Sequence, residues 1–91
     1  MKALQVFYSG HVQGVGFRYT VKQIAKGFDV TGWIRNLPDR RVELQASAEE
    51  AELDAFLVAI AESELRAHIR EQTATPLTQP PVASGFEIRH G

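Results

Sequence analysis

From Leu4 to Ser9 the chain alternates, with Leu4, Val6 and Tyr8 on one side and Gln5, Phe7 and Ser9 on the other, which predicts a strand over residues 4–10. The period then changes. Phe17, Val21, Ile24, Ala25 and Phe28 recur at helical spacing, so residues 18–27 are expected to form an amphipathic helix with Lys22 and Lys26 facing outward. Gly27 is expected to be its left-handed C-cap, with Phe28 folding back onto the helix. Alternation resumes from Val30 to Arg35, where Trp33 is the largest apolar side chain and is assigned to the core. Leu37-Pro38-Asp39-Arg40 is turn chemistry, and Val42, Leu44 and Ala46 line one face of the next strand.

Ser47-Ala48-Glu49-Glu50 has the form of a capping box, with Ser47 as N-cap and Glu50 three residues on. It opens a helix whose Leu53, Phe56, Leu57 and Ile60 make one stripe, with Phe56 in the core. The end of this helix carries no sharp signal, because neither Gly nor Pro occurs between residue 47 and Pro76. Ala61, Leu65 and Ile69 would prolong the stripe, whereas Leu65, Ala67 and Ile69 alternate as in a strand. Residues 75–83, with three prolines, read as a loop, and residues 85–90 as a closing strand.

The first change of period falls on Gly10-His11-Val12-Gln13-Gly14-Val15-Gly16-Phe17-Arg18. A glycine-rich turn from strand to helix can aim successive backbone N–H groups at one spot, and the helix N-terminus adds partial positive charge there. Arg18, in the first helical turn, can cover an anion with a planar fork of donors. The spacing is neither of the two common nucleotide-binding glycine fingerprints. By spacing alone the glycines could equally be turn formers, and Arg18 a solvated surface residue.

Composition narrows the chemistry. Ninety-one residues, 44% of them hydrophobic, are enough for one domain, 1–91, with one core. The net charge is −1 with no basic block, which argues against broad capture of nucleic acid. The absence of cysteine excludes disulfides, a thiolate nucleophile and thiolate metal sites. Residues 1–6 lack the continuous apolar core of a signal peptide, and no apolar run approaches the ~20 residues that span a bilayer. The default is a soluble, cytoplasmic monomer with no membrane partner. His11 reads as an exposed loop residue, and His68 and His90 as surface residues without partners at metal-ligand spacing.

Gly10-x-Val12-Gln13-Gly14-Val15-x-Phe17-Arg18, followed by Gly32-Trp33-Ile34-Arg35-Asn36, resembles the signature of the acylphosphatase family. Weaker likeness continues through Val42-Glu43 and Phe56 to Phe86-Glu87-Ile88-Arg89. Following the family, the second helix ends near Glu62 and a strand covers about 66–73, although the usual Gly-Pro break is replaced by Glu62-Ser63-Glu64. Two helices on one face of an antiparallel sheet then bury the stripes, an α+β ferredoxin-like arrangement of two split βαβ units with a short last strand. In such a unit the first two strands run parallel with another between them. Their C-terminal ends lie about 10 Å apart on one rim, so the glycine loop and Asn36 would meet there.

The resemblance implies hydrolysis of acyl phosphates to carboxylate and inorganic phosphate, with neither cofactor nor metal. The backbone of Val12, Gln13, Gly14, Val15, Gly16 and Phe17, with Arg18, would hold the phosphoryl oxygens, and Asn36 would orient the attacking water. The alternative is an acylphosphatase-like domain directed at carbamoyl phosphate, or a non-catalytic regulatory or binding domain. RNA-recognition domains share the strand order, but Arg41-Val42-Glu43-Leu44-Gln45 offers no aromatic for stacking and sets Glu43 on that face. Two departures from the family concern stability. Arg40 stands where a glycine commonly follows the turn aspartate, and Ala46-Ser47 replaces a glycine before the second helix.

Overall fold

A computed structural model describes residues 1–90. The elements run β1 (Lys2–Gly10), α1 (Phe17–Ala25), β2 (Thr31–Asn36), β3 (Val42–Ala48), α2 (Glu50–Ala61), a short 3-10 helix (Glu64–His68), β4 (Ile69–Pro76) and β5 (Phe86–Arg89). The five strands form one sheet in the order β4-β1-β3-β2-β5. β1 pairs antiparallel with β3 and β4, and β3 antiparallel with β2. The short last strand joins β2 in parallel, so the sheet is mixed rather than wholly antiparallel. The two helices share one face of it, as the split βαβ reading required.

Strand alternation decides what the core contains. Leu4, Val6, Tyr8, Ile34, Val42, Leu44, Ala46 and Ala48 send side chains to the helix-covered face, where they meet Phe17, Val21 and Ala25 of α1 and Leu53, Phe56 and Ile60 of α2. Phe56 stands at the middle of an aromatic group, 5.8 Å from Phe28 and 5.6 Å from Phe86 between ring centroids. Tyr8 is fully buried against Phe17, with ring centroids 5.2 Å apart. Its hydroxyl has no partner among the described residues, and burial pushes the phenol's pKa well above its ordinary value.

The opposite face carries a polar layer. Trp33 is buried, but not in the helix-side core: it alternates with Ile34 and lies beneath two guanidinium groups, Arg35 at 5.3 Å and Arg89 at 5.2 Å. Glu43 is buried on this face as well. It accepts from Gln5 at 2.7 Å, from Arg35 at 2.8 Å and from Gln45 at 3.2 Å.

Three local expectations are corrected. Gly27 does not adopt the left-handed conformation: α1 closes with Lys26 in right-handed geometry, and Gly27 and Phe28 continue as turns bonded to Ile24 and Ala25. Ser47 caps no helix. It remains in β3, because Ala46 and Ala48 on either side of it are fully buried in the core and hold the strand to its end. α2 therefore starts at Glu50, with no side-chain cap and with Glu50 and Glu52 in its first turn to offset the helix dipole. The second helix does end near Glu62, but β4 begins at Ile69 and runs to Pro76 rather than spanning 66–73. Ser63 is the reason. Its hydroxyl donates to the Ile60 carbonyl at 2.7 Å and accepts from Leu65 N–H at 3.1 Å, closing α2 and starting the 3-10 helix that buries Leu65.

Candidate active site

β1 and β2 are parallel and separated by β3, so both deliver their C-terminal ends to one rim. At Gly10 the β1–β4 register shifts, and the chain leaves the sheet with His11 N–H donating to the His68 carbonyl at 2.9 Å. The loop from there to α1 turns twice through the left-handed region, at Gly14 (φ 79°) and Gly16 (φ 74°). A Cβ at either position would meet no atom within 4 Å, so glycine is required for the backbone path and not by crowding. Gly16 is the residue preceding the helix, and its carbonyl accepts from Thr20 N–H at 3.0 Å.

The N–H groups of Phe17, Arg18 and Tyr19 thus fall in the first helical turn, where no intrahelical partner exists. α1 has no side-chain cap and no acidic residue in that turn. Its positive end is left uncompensated, in contrast to α2 with Glu50 and Glu52. An open cleft of about 380 Å³ lies at this point, lined by Val12, Gly14, Gly16, Phe17, Arg18, Tyr19, Asn36, Ile88 and His90. Among the described residues no acidic side chain lines it.

Arg18 is half-buried. Its Nη1 lies 3.4 Å from the Arg89 carbonyl, to which it donates, and 3.4 Å from His90 Nδ1. Asn36 ends β2 and is half-buried, and among the described residues its amide enters no side-chain hydrogen bond. The cleft therefore brings together a guanidinium, a free carboxamide and a helix N-terminus. That combination offers donors to an anion and a neutral group able to donate and accept at once.

Six of the eight candidate positions line the cleft: Val12, Gly14, Gly16, Phe17, Arg18 and Asn36. Gln13 and Val15 do not. Val15 packs against the core, and Gln13 turns its side chain away from the cleft. Its Nε2 donates to the carbonyls of Leu37 and Arg41, both at 2.9 Å, tying the glycine loop to the turn that follows Asn36. In that turn Arg40 holds φ 75°, the left-handed geometry that glycine would adopt freely.

Three lining residues were missed. Tyr19 reaches the cleft as the residue after Arg18 in the first turn of α1, and Ile88 and His90 reach it because β5 lies beside β2 in parallel and ends at the same rim. No local pattern marks Ile88 and His90, since β5's position in the sheet is a long-range fact, whereas Tyr19 directly follows Arg18 in the sequence. His90 was assigned to the surface, and it is exposed, yet it borders the cleft. His11 is exposed as expected, and its ring sits 5.8 Å from that of half-buried His68. Among the described residues no three His, Asp or Glu side chains gather as metal ligands, and no helix is long and apolar enough to cross a membrane.

The acylphosphatase family profile matches residues 4–88. The chain belongs to the acylphosphatase family. An acylphosphatase of Archaeoglobus fulgidus is 48% identical over 60 residues, 66% of this chain and 67% of that protein. The crystal structure of acylphosphatase from Bacillus subtilis superposes with a TM-score of 0.87 at 30% identity, covering 98% of this chain and 99% of that one. Full-length HypF, in a phosphate- and nucleotide-bound form, contains a similar unit, with a TM-score of 0.81 at 26% identity. This acylphosphatase-family chain covers 97% of its own length in that match and 12% of HypF.

Proposed function

We propose that the protein, acting as one domain over residues 1–91, hydrolyses acyl phosphates to a carboxylate and inorganic phosphate. The observation that carries this reading is the convergence of an uncompensated helix N-terminus, Arg18 and Asn36 on one cleft in an acylphosphatase-family chain. The first-turn amides and Arg18 bind the phosphoryl oxygens and stabilise the negative charge spread over them in the transition state. Asn36 holds a water in line with the bond to be broken, accepting from it and donating to a phosphoryl oxygen. Water oxygen bonds to phosphorus, the bond from phosphorus to the carboxyl oxygen breaks, and the carboxylate departs with the electron pair. Asn36 is no base, so the water's proton passes to a phosphoryl oxygen. The leaving group is already a weak base, which is why neither a covalent nucleophile nor a metal is needed in this scheme.

Both catalytic side chains come from one chain, so a monomer suffices, and a cytoplasmic setting belongs to the same reading. The division of labour is testable by kinetics and by phosphate binding. Arg18→Ala should weaken inorganic phosphate binding more than tenfold and abolish turnover. Asn36→Ala should lower kcat by about 10²–10³ with phosphate affinity within twofold of the parent. Equal loss of binding in both variants contradicts the scheme. The likeness to a unit that makes up 12% of HypF shows the same fold as part of a larger protein, and the family resemblance leaves a second reading, a domain directed at carbamoyl phosphate. Faster turnover of carbamoyl phosphate than of acetyl phosphate would select it.

A further inference from the structure

The cleft is larger than a phosphate. At about 30 Å³ for each water-sized oxygen, the four oxygens of phosphate occupy about 120 Å³, roughly a third of the 380 Å³ available. The remaining wall is made by Tyr19, Ile88 and the His90 ring, beside Phe17 and Val12. Most of this wall is aromatic or aliphatic, with the Tyr19 hydroxyl and the His90 ring as its polar groups. Tyr19 is 64% exposed, although it occupies the first turn of a helix whose neighbouring aromatic, Phe17, is 2% exposed. The contact of His90 with Arg18 at 3.4 Å sets this wall next to the guanidinium proposed to hold the phosphate.

We infer that Tyr19, with Ile88 and His90, forms the subsite for the acyl group and selects acyl phosphates whose acyl part is flat and apolar over small polar ones. The inference rests on reading the cleft as an acyl phosphate site. A planar acyl group laid on the Tyr19 ring gains an aromatic contact that acetyl and carbamoyl groups are too small to make. Stacking of this kind corresponds to a preference of about tenfold. Because the Tyr19 side chain contributes little to the core, its replacement leaves the fold in place.

The experiment compares kcat/KM for benzoyl phosphate and acetyl phosphate in the parent, Tyr19→Ala and Tyr19→Phe, and measures binding of benzylphosphonate and methylphosphonate to the same three proteins. The expected result is a benzoyl-to-acetyl ratio that falls about tenfold in Tyr19→Ala and is retained in Tyr19→Phe, with the benzyl-to-methyl binding ratio following it. An unchanged ratio in Tyr19→Ala overturns the subsite. Should the parent hydrolyse neither substrate yet bind benzylphosphonate more tightly in a Tyr19-dependent way, the hydrolytic reading fails and the subsite stands. Absence of any benzyl preference overturns the subsite whatever the turnover.

Discussion

At the scale of single residues, the turn after β2 carries a visible cost. Arg40 occupies a left-handed conformation at φ 75°, where an L side chain crowds its own backbone. Arg40→Gly should raise stability by about 0.5–1 kcal/mol, the relief of strain reduced by glycine's greater unfolded freedom. Urea denaturation checks this, and a drop in the midpoint contradicts it. The departure from the family pattern at residue 40 is legible in the sequence, because Asp39-Arg40 keeps the turn's polar chemistry but not its glycine. Other single residues were not readable. Trp33 reads as core by size, and its burial is real, but it faces away from the helices because it alternates with Ile34, and there it packs beneath Arg35 and Arg89. Ser63 carries the signal that ends α2, yet a serine between two glutamates also suits an uninterrupted helix. Only the bonds to Ile60 and Leu65 reveal its part.

At the scale of elements, the glycine loop and α1 were legible almost entirely. Three glycines at a change of period, then Arg18, locate the loop, and Gly14 and Gly16 take the left-handed geometry that its backbone path needs. What stayed hidden was how the loop is held. Gln13 reads as one more member of a backbone cradle, whereas its side chain clamps the carbonyls of Leu37 and Arg41. Both bonds join segments 24 and 28 residues apart, a separation that periodicity cannot span. The clamp sets the spacing between the loop and Asn36. Gln13→Ala should therefore lower kcat about tenfold or more while phosphate affinity falls less, since a small misplacement of the water is costly to catalysis. Parallel loss of kcat and phosphate binding would show the clamp shaping the cradle itself. The same limit explains the misplaced second-helix start: Ser47 to Glu50 has good cap chemistry, and the buried Ala48 overrides it.

At the scale of the molecule, the topology puts the C-terminal ends of β1, β2 and β5 on one rim, and with them the loop, Asn36 and the cleft wall. The first two ends follow from the split βαβ pattern, and the third needs β5's place in the sheet. The polar face ties the same strands together through Glu43, which Gln5 of β1 and Arg35 of β2 bond from either side. Burial alone would push its carboxyl's pKa up, but the hydrogen bonds from Gln5, Arg35 and Gln45, with the Arg35 charge, outweigh burial and hold it below the ordinary value. A carboxyl held low in the fold stabilises it above the unfolded value of about 4.3, and that contribution is lost as pH falls through the folded pKa. Glu43→Gln should cost about 1 kcal/mol at pH 7 and lose less stability than the parent between pH 5 and pH 3. Denaturation curves across that range check it, and parallel acid limbs would contradict it.

The central claim is that Arg18, the loop amides and Asn36 make one hydrolytic site. Its most direct measurement is benzoyl phosphate hydrolysis by the purified protein after EDTA treatment, beside Asn36→Ala under the same conditions. The account predicts metal-independent turnover that collapses by about 10²–10³ in the variant. No turnover from a folded protein, or turnover equal in parent and variant, would contradict it.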